Sequence, residues 1–273
     1  MPTTYAHFKL GENAKKDCSP RVKKAIEAYP ELFSIGLHGP DILFYYKALQ
    51  KHPVNHLGHV IHGRSGYDFF AKSREILEQG KNNENEYDEA QLSYILGVIG
   101  HFSLDVICHG YIGEEISRTG ISHAEIEMEF DRRMMVDDGL NPVSHKVTGH
   151  LVASSENARV IKDFYEGITQ EEMLTSLRSM RFFLDFLVAP YAIKRNIITG
   201  ALKLAGKYES MGGLMISLIR NPKCNGSTEK LLELHKKASK LAVRLMDEYL
   251  DVLDNEGTFD HIYGYNFETK LPD

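Results

Sequence analysis

Apolar residues recur along the chain at helical intervals, whereas the strict alternation of a half-buried strand is scarce. The pattern predicts amphipathic helices at Pro20–Ala28, ended by Pro30, and at Tyr67–Gln79, ended by Gly80. Further helices, separated by Gly, Pro and Asn-Gly signals, are predicted at 157–166, 170–187, 190–208 and 228–254. We therefore expect an all-α fold.

One predicted helix, from about Asp88 to Tyr111, is apolar on almost every side. Such a helix is expected at the centre of a bundle, where neighbours cover it all round. Gly97 and Gly100 weaken it locally but permit a close neighbour. No uninterrupted apolar stretch reaches the roughly 18 residues that a transmembrane helix needs. We therefore predict a core helix and no transmembrane segment.

A second helix is predicted directly after the central one. Ser122 is a candidate N-cap, Glu125 completes a capping box, and the helix is predicted to run to about Val136. The turn cluster at 137–142 is the best position for a subdomain boundary. We expect one domain over residues 1–273. Because 11 of the 13 histidines lie within the first 150 positions, its chemistry would lie in 1–136, with helices in 145–255 as scaffold and substrate wall.

Composition narrows the class of protein. A chain of 273 residues with 42% hydrophobic content can bury a substantial core. The net charge of −6 argues against a general nucleic-acid binder, so no stable nucleic-acid partner is expected. Three widely spaced cysteines favour free thiols in a reducing compartment. The first residues lack a basic region followed by an apolar run, so we expect a cytoplasmic protein.

Candidate chemistry is concentrated on the central helix. His101, Asp105 and His109 are four residues apart and therefore share one helix face, and His123 and Glu127 repeat this spacing on the next helix. One interpretation is that these are core histidines with Asp105 as a partner. However, burying two imidazoles and a carboxylate costs several kcal/mol unless something binds them. A bound metal does so directly.

The ligand types indicate which metal. Imidazole and carboxylate without thiolate favour zinc, with iron or manganese possible, and argue against calcium or magnesium. Five groups exceed the needs of one mononuclear site, so two or three ions are predicted. Other candidates lie upstream: Asp41 could be a ligand or a helix N-cap, and His7 a ligand or a surface group. Not all of His52, His56, His59 and His62 can be ligands.

These motifs together resemble the zinc-dependent phospholipase C family, and more distantly the zinc nucleases that cleave single-stranded nucleic acid. The resemblance covers about residues 1–130. It rests on the histidine-bearing segment Met1–Gly11, Gly39-Pro-Asp41 before an aromatic run, His62 followed by Phe69-Phe70, His-x3-Asp-x3-His, and His-x3-Glu. The last two motifs in tandem are the specific ones. The resemblance implies a single multi-helix bundle of the phospholipase C and zinc nuclease type.

The same resemblance implies three zinc ions, with Asp105 bridging two of them. The other ligands would be Asp41, His62 and His101 for the first ion, His109, His123 and Glu127 for the second, and His7 with the chain's terminal amine for the third. His62 is preferred to His59 because the aromatic pair follows it. Secreted relatives begin with a tryptophan, whereas this chain has none; removal of Met1 would leave the amine on Pro2.

The implied activity is hydrolysis of a phosphodiester by a metal-bound hydroxide, with Asp41 as general base. The substrate would be a phospholipid or a small phosphodiester. Tyr45 and Tyr46, with Phe44, are candidates to wall a head-group pocket, or else they pack the core. The alternatives are a nuclease or small phosphoester hydrolase on the same metal frame, and a non-catalytic metal-binding helical protein. The apolar segments at 182–188 and 215–219 offer either an interfacial surface or bundle core.

Overall fold

The fold is all-α, as the sequence predicts. We describe a computed structural model, which covers residues 4–81, 87–206, 208, 212–255 and 257–268. Its α-helices are α1 (Thr4–Asp17), α2 (Pro20–Ala28), α3 (Pro30–Gly36), α4 (Pro53–Gly63), α5 (Gly66–Gln79), α6 (Glu89–Thr119), α7 (His123–Asp137), α8 (Ser155–Ile161), α9 (Gln170–Leu187), α10 (Ala192–Leu204) and α11 (Asn225–Leu253). Short 3₁₀ helices lie at Gly39–Tyr45, Lys162–Phe164, Gly212–Leu214, Pro222–Cys224 and His261–Gly264. Among the described residues, the only strand-like pairing is one isolated bridge between Ser65 and Asn266.

Most predicted helix boundaries hold, and the exceptions have local causes. α2 matches its prediction, and Ser122 caps α7 by accepting a hydrogen bond from the Glu125 amide. α6 continues eight residues past the predicted end at Tyr111, because its last turns are amphipathic and it stops only at Gly120, in the left-handed conformation. The predicted helix at 157–166 is shorter and ends in a 3₁₀ turn.

α6 is the central helix of the bundle. It packs most extensively against α3 and α11, and it is long and apolar enough to cross a membrane. The helix passes this test of length and mean hydropathy although His101, Asp105 and His109 interrupt its apolar run, so the test alone does not distinguish a core helix from a membrane span. Within the structure, 83% of its most apolar 18-residue window is buried. The neighbours of α6 are therefore protein side chains, as the core-helix prediction requires.

Two glycines let α3 and α6 cross backbone to backbone. A Cβ on Gly97 would lie 2.2 Å from the Phe33 carbonyl oxygen, and one on Gly36 would lie 2.2 Å from the Tyr94 carbonyl oxygen. Only glycine fits at so close a crossing. The close approach, predicted at Gly97, brings the chain that follows α3 directly over α6. That chain includes Gly39, whose φ of +44° is also suited to glycine.

Both ends of the described chain are tied down next to α6. The Asp131 carboxylate of α7 accepts hydrogen bonds from the Tyr5 and Ala6 amides at 3.0 and 2.9 Å, which caps the start of α1. Near the other end, the Phe267 amide donates to the His62 carbonyl at 3.2 Å. The N-terminal helix and the C-terminal segment are therefore both fixed against the helices that carry the predicted ligands. Residues 1–3, with the amine proposed for the third ion, lie outside the described residues.

Candidate metal centre

The structure gathers all eight predicted ligands into three neighbouring groups. His7 lies on α1, Asp41 on the 3₁₀ helix after α3, His62 on α4, His101, Asp105 and His109 on α6, and His123 and Glu127 on α7. In each group, the nitrogen and oxygen atoms that could ligate a metal lie within 4.8 Å of one another. The groups are Asp41, His62 and His101; His7, His101 and Asp105; and His109, His123 and Glu127.

Backbone carbonyls orient the imidazoles of the first group. His62 Nδ1 donates to the Gly58 carbonyl at 2.7 Å, and His101 Nδ1 donates to the Leu37 carbonyl at 3.3 Å. In each ring, Nε2 is left facing inward, and His62 Nε2 lies 3.1 Å from Asp41 Oδ1. A carbonyl that holds Nδ1 and frees Nε2 is the usual support of a metal-ligating histidine. The structure thus places His62, and not His59, beside Asp41.

Asp105 belongs to the second group and also faces the first. Its Oδ1 is 3.4 Å from His7 Nε2, and its Oδ2 is 3.3 Å from His101 Nε2 and 3.8 Å from His62 Nε2. The His7 ring stacks on the His101 ring at 4.4 Å between centroids. A carboxylate in this position would be able to bridge two ions, one held by the group that contains His62 and the other by the group that contains His7.

The third group lies at the other end of the ligand face of α6. Glu127 Oε1 is 2.6 Å from His123 Nε2 and 3.8 Å from His109 Nε2. His109 Nδ1 donates to the Phe267 carbonyl at 2.6 Å, so the C-terminal segment orients this ring. The His123 side chain is 40% exposed, whereas the other predicted ligands are buried. The third group is therefore the one most open to solvent.

Buried polar atoms without hydrogen-bond partners are concentrated in these groups. Ten such side-chain atoms occur in the described part of the chain, and eight belong to predicted ligands: both ring nitrogens of His7, both oxygens of Asp105, Asp41 Oδ1, and the Nε2 atoms of His62, His101 and His109. Buried polar groups are normally satisfied, because an unsatisfied one costs about 1–3 kcal/mol. The core-histidine interpretation requires satisfied rings, which these are not. The donor set instead fits a zinc cluster.

The protonation states of His101, Asp41 and Asp105 suit metal binding. Burial lowers the pKa of His101 to about 4, which keeps the ring neutral at pH 7. Burial also opposes ionisation of Asp41, but the adjacent imidazoles of His62 and His101 lower its pKa to about 2. The pKa of Asp105 is likewise lowered, against burial, by His101, His109 and His7. Neutral imidazoles and ionised carboxylates are the forms that ligate zinc.

A cleft of about 320 Å³ gives access to the metal groups. His62 of the first group and His109 and His123 of the third line it, together with Phe44, His59 and Glu268. The Phe44 ring lies against His59 and His62, at 4.4 and 5.3 Å between centroids. A substrate in this cleft would touch ligands of two groups at once.

The structure differs from the expectation that Tyr45 and Tyr46 wall the pocket. Both side chains are buried in the hydrophobic core, and Tyr46 packs against the ring of His52. The 3₁₀ helix turns by about 120° per residue, so neighbouring side chains point in different directions. Phe44 is therefore the member of the aromatic run that reaches the cleft.

Several groups that line or orient the site were not predicted from the sequence. The carbonyls of Leu37, Gly58 and Phe267 are backbone groups, so the pattern of side chains does not identify them. Glu268 lies more than 140 residues from the ligand motifs. Histidines outside the predicted ligand set have other roles. His150 pairs with His38 at 2.6 Å between Nε2 atoms, and His235 Nε2 donates to the Ala6 carbonyl at 3.0 Å.

Comparison with known proteins agrees with this geometry. A sequence model described as zinc dependent phospholipase C matches residues 6–177, which is well over half of the chain and includes every predicted ligand. Searches of curated proteins and of solved structures gave no significant match. The all-α architecture, the three groups of imidazoles and carboxylates and the family match have one consistent explanation: the chain belongs to the zinc-dependent phospholipase C family.

Proposed function

We propose that the protein is a zinc-dependent hydrolase that cleaves the phosphodiester bond of a phospholipid, in the manner of a phospholipase C. The observation that supports this most strongly is the cluster of eight buried, unpartnered nitrogen and oxygen atoms beside an open cleft. Asp41, His62 and His101 would hold one zinc ion, and His109, His123 and Glu127 a second. His7 and Asp105 would contribute to a third.

The number of ions, two or three, depends on His101. Its Nδ1 donates to the Leu37 carbonyl, so only Nε2 is free to bind a metal, although the ring belongs to two groups. Two ions can therefore occupy the first and second groups only if Asp105 bridges them and His7 is joined by another ligand.

Zinc bound here would neutralise the phosphoryl oxygens of the substrate and lower the pKa of a coordinated water toward neutrality. The side chains position the reactants. Phe44 and the rings of His62, His109 and His123 enclose the scissile group, and the carbonyls of Gly58 and Phe267 keep those imidazoles from turning. We assign Asp41 as general base as well as ligand, since its Oδ1 has no hydrogen-bond partner and the carboxylate is ionised at pH 7.

The substrate class follows the family, whereas the location is argued from the cysteines. A phospholipid head group that carries a quaternary ammonium can stack on the exposed face of Phe44; a smaller phosphodiester is the second candidate. We propose the cytoplasm as the location, supported by Cys18, Cys108 and Cys224, which are free, as predicted, and also buried.

Metal analysis coupled to an activity assay tests the proposal. The purified protein should contain two or three zinc ions per chain and hydrolyse a chromogenic phosphodiester, and a chelator should abolish turnover until zinc is restored. Phosphatidylcholine, a phosphomonoester and single-stranded DNA should then be compared as substrates. Fewer than two zinc ions, or turnover indifferent to the chelator, would contradict the proposal. Faster hydrolysis of DNA would favour the nuclease alternative, and zinc without turnover the non-catalytic one.

Substitution of a third-group ligand should remove one ion. We expect His109→Ala to lower the zinc content by about one ion per chain, because His123 and Glu127 alone leave zinc short of ligands. The matched control is His145→Ala, since His145 belongs to none of the three groups. Zinc content measured by mass spectrometry distinguishes the two variants. Equal zinc loss in both would contradict the third group as a metal site.

Phe44 should affect substrate binding more than metal binding. We expect Phe44→Ala to raise KM for phosphatidylcholine about tenfold, equivalent to about 1.4 kcal/mol, with the zinc content unchanged, because the ring lines the cleft but carries no ligand atom. Tyr67→Ala is a suitable control, since Tyr67 is an aromatic residue on the surface, outside the cleft lining. An unchanged KM for Phe44→Ala would show that the substrate lies elsewhere.

A further inference from the structure

Exposed large apolar residues are unevenly distributed over the protein. Thirteen occur in the described part of the chain, and nine of these fall between Phe182 and Ile219. Six of the nine form what we call the α9–α10 surface: Phe182, Phe186, Tyr191, Ile193, Ile197 and Leu204. Scattered single residues of this kind are normal on proteins, but a contiguous set indicates an interaction site.

α10 has apolar residues on two sides. Ile198 and Leu202 face inward and pack with Leu187, Ala189 and Met215 in a small cluster separate from the main core. Ile193, Ile197 and Leu204 are four and seven residues apart, a spacing that places them on one face of the helix, and all three are strongly exposed. The inward side accounts for the folding of α10. The outward stripe has no neighbour among the described residues that would explain it.

The stripe on α10 continues onto the elements beside it. The Phe182 and Phe186 rings of α9 stack at 5.9 Å between centroids, and the Lys194 ammonium of α10 lies 5.7 Å from the centre of the Phe186 ring. On the other side, Arg195 donates to the Ile216 carbonyl at 2.6 Å, in the segment that ends with exposed Leu218 and Ile219. Exposed apolar residues thus lie on three elements that contact one another.

The charge of this region is opposite to that of the whole chain. Residues 178–223 contain eight lysines and arginines and two acidic residues, whereas the chain has a net charge of −6. One of the two acids, Asp185, is paired with Lys146 at 3.1 Å. Apolar residues that are flanked by basic ones match a lipid bilayer with anionic head groups.

A cavity connects this region with the metal centre. Its volume is about 700 Å³, and its walls include Arg195, Tyr208, Leu218 and Ile219 as well as His123 of the third group. The six residues of the α9–α10 surface do not line this cavity, but Arg195 and Thr199 of α10 do, so the cavity lies beside the surface and reaches a metal ligand. A protein partner would have no need of such a cavity, whereas a lipid substrate would.

We propose that the α9–α10 surface is a docking site for an anionic lipid bilayer and that it presents the cavity at His123 to the membrane. The role of the docking in catalysis rests on the proposed function, but the docking itself does not. Ile193 and Ile197 would enter the interface between head groups and acyl chains, and Lys203, Arg178 and Arg181 would meet anionic head groups.

Vesicle co-sedimentation tests the docking. The zinc-loaded protein is mixed with phosphatidylcholine vesicles, with or without phosphatidylserine, at low and high salt. The test variant is Ile193→Asp with Ile197→Asp, at positions 77% and 67% exposed. The matched control is Leu49→Asp with Val136→Asp, at positions 49% and 54% exposed and outside the surface. Turnover of a soluble chromogenic phosphodiester, zinc content and mass by light scattering are measured for all three proteins.

We expect the wild-type protein to bind the phosphatidylserine vesicles, more weakly at high salt, and the test variant to bind at least ten times more weakly. The control should bind within twofold of the wild type. All three should keep their soluble turnover and zinc content. If the test variant loses zinc or melts early, Ile193→Ser with Ile197→Ser replaces it under the same criterion.

Three results would overturn the docking site: no binding by the wild type, equal binding by the test variant, or an equal loss in the control. A wild-type dimer that the test variant dissociates, without vesicle binding, would assign the surface to self-association instead. Vesicle binding without soluble turnover would contradict the proposed function and leave the docking site standing. Turnover of the soluble substrate without vesicle binding would contradict the docking site and leave the proposed function standing.

Discussion

Asp105→Asn is expected to lower phosphodiester turnover at least about a thousandfold, equivalent to about 4 kcal/mol of lost transition-state stabilisation. Asp105 is the carboxylate whose two oxygens face His7 on one side and His101 and His62 on the other. Asparagine has the same shape, but it lacks the charge that would offset two bound zinc ions and it offers one oxygen in place of two. We therefore expect the zinc content to fall by at least one ion per chain.

The matched control is Glu115→Gln on the same helix. Glu115 is also a buried carboxylate, but it pairs with Arg118 at 2.6 Å and belongs to none of the three metal groups. Neutralising it should leave zinc and turnover within about twofold, a change of about 0.4 kcal/mol. Kinetics and metal analysis on both variants show whether zinc binding and turnover depend on Asp105 and not on Glu115. Thermal unfolding checks that both variants are folded. If Asp105→Asn kept its full zinc content and turnover, Asp105 could not be a bridging ligand.

The sequence was most informative where one helix carries the chemistry. His101, Asp105 and His109 are four residues apart, so helical geometry alone places them on one face, and the same holds for His123 and Glu127. Assigning Asp41, His62 and His7 to the same centre required the family resemblance, because nothing in their spacing relates them to α6. The structure brings all of them together, but their roles as ligands remain predictions.

The site features that sequence reasoning missed are those that depend on backbone atoms or on distant segments. The Phe267 carbonyl orients His109 across 158 positions of sequence, and the segment that provides it has no metal-ligand motif. Tyr45 and Tyr46 are candidates for the pocket because they follow Asp41, with core packing as the alternative, and the sequence does not reveal the 3₁₀ geometry that turns Phe44 outward instead. Hydrophobic patterns also described α9 and α10 as helices without showing that their outer faces are left uncovered.

The three metal groups depend on the crossing of α3 and α6 as much as on the ligands themselves. Because the backbones touch at Gly36 and Gly97, the chain after α3 runs close enough for the Leu37 carbonyl to hold His101 and for Gly39 to lie against that ring. A Cβ on Gly39 would be 2.6 Å from His101 Cδ2. The fold thus sets the position of Asp41 through contacts that involve no ligand atom, which is why metal binding and core packing should change together.

Gly97→Ala tests this dependence, and we expect it to lower the free energy of unfolding by about 3 kcal/mol or more, at the upper end of overpacking effects. The added methyl group would lie 2.2 Å from the Phe33 carbonyl oxygen and 2.8 Å from Gly36 Cα. These are backbone atoms, so no side-chain rotation relieves the clash and α3 must move away from α6. That movement would withdraw the Leu37 carbonyl from His101, and we expect weaker zinc binding in the variant.

The control is Gly113→Ala on the same helix, where an added methyl group would have no neighbour within 4 Å. Alanine is the better helix former, so this change should raise the free energy of unfolding by about 0.5–1 kcal/mol. Urea unfolding at fixed excess zinc, with a zinc competition assay, measures both effects. A Gly97→Ala protein as stable as the wild type would mean that the two helices are not in backbone contact. Normal zinc affinity in a destabilised Gly97→Ala protein would instead show that the metal groups do not depend on this crossing.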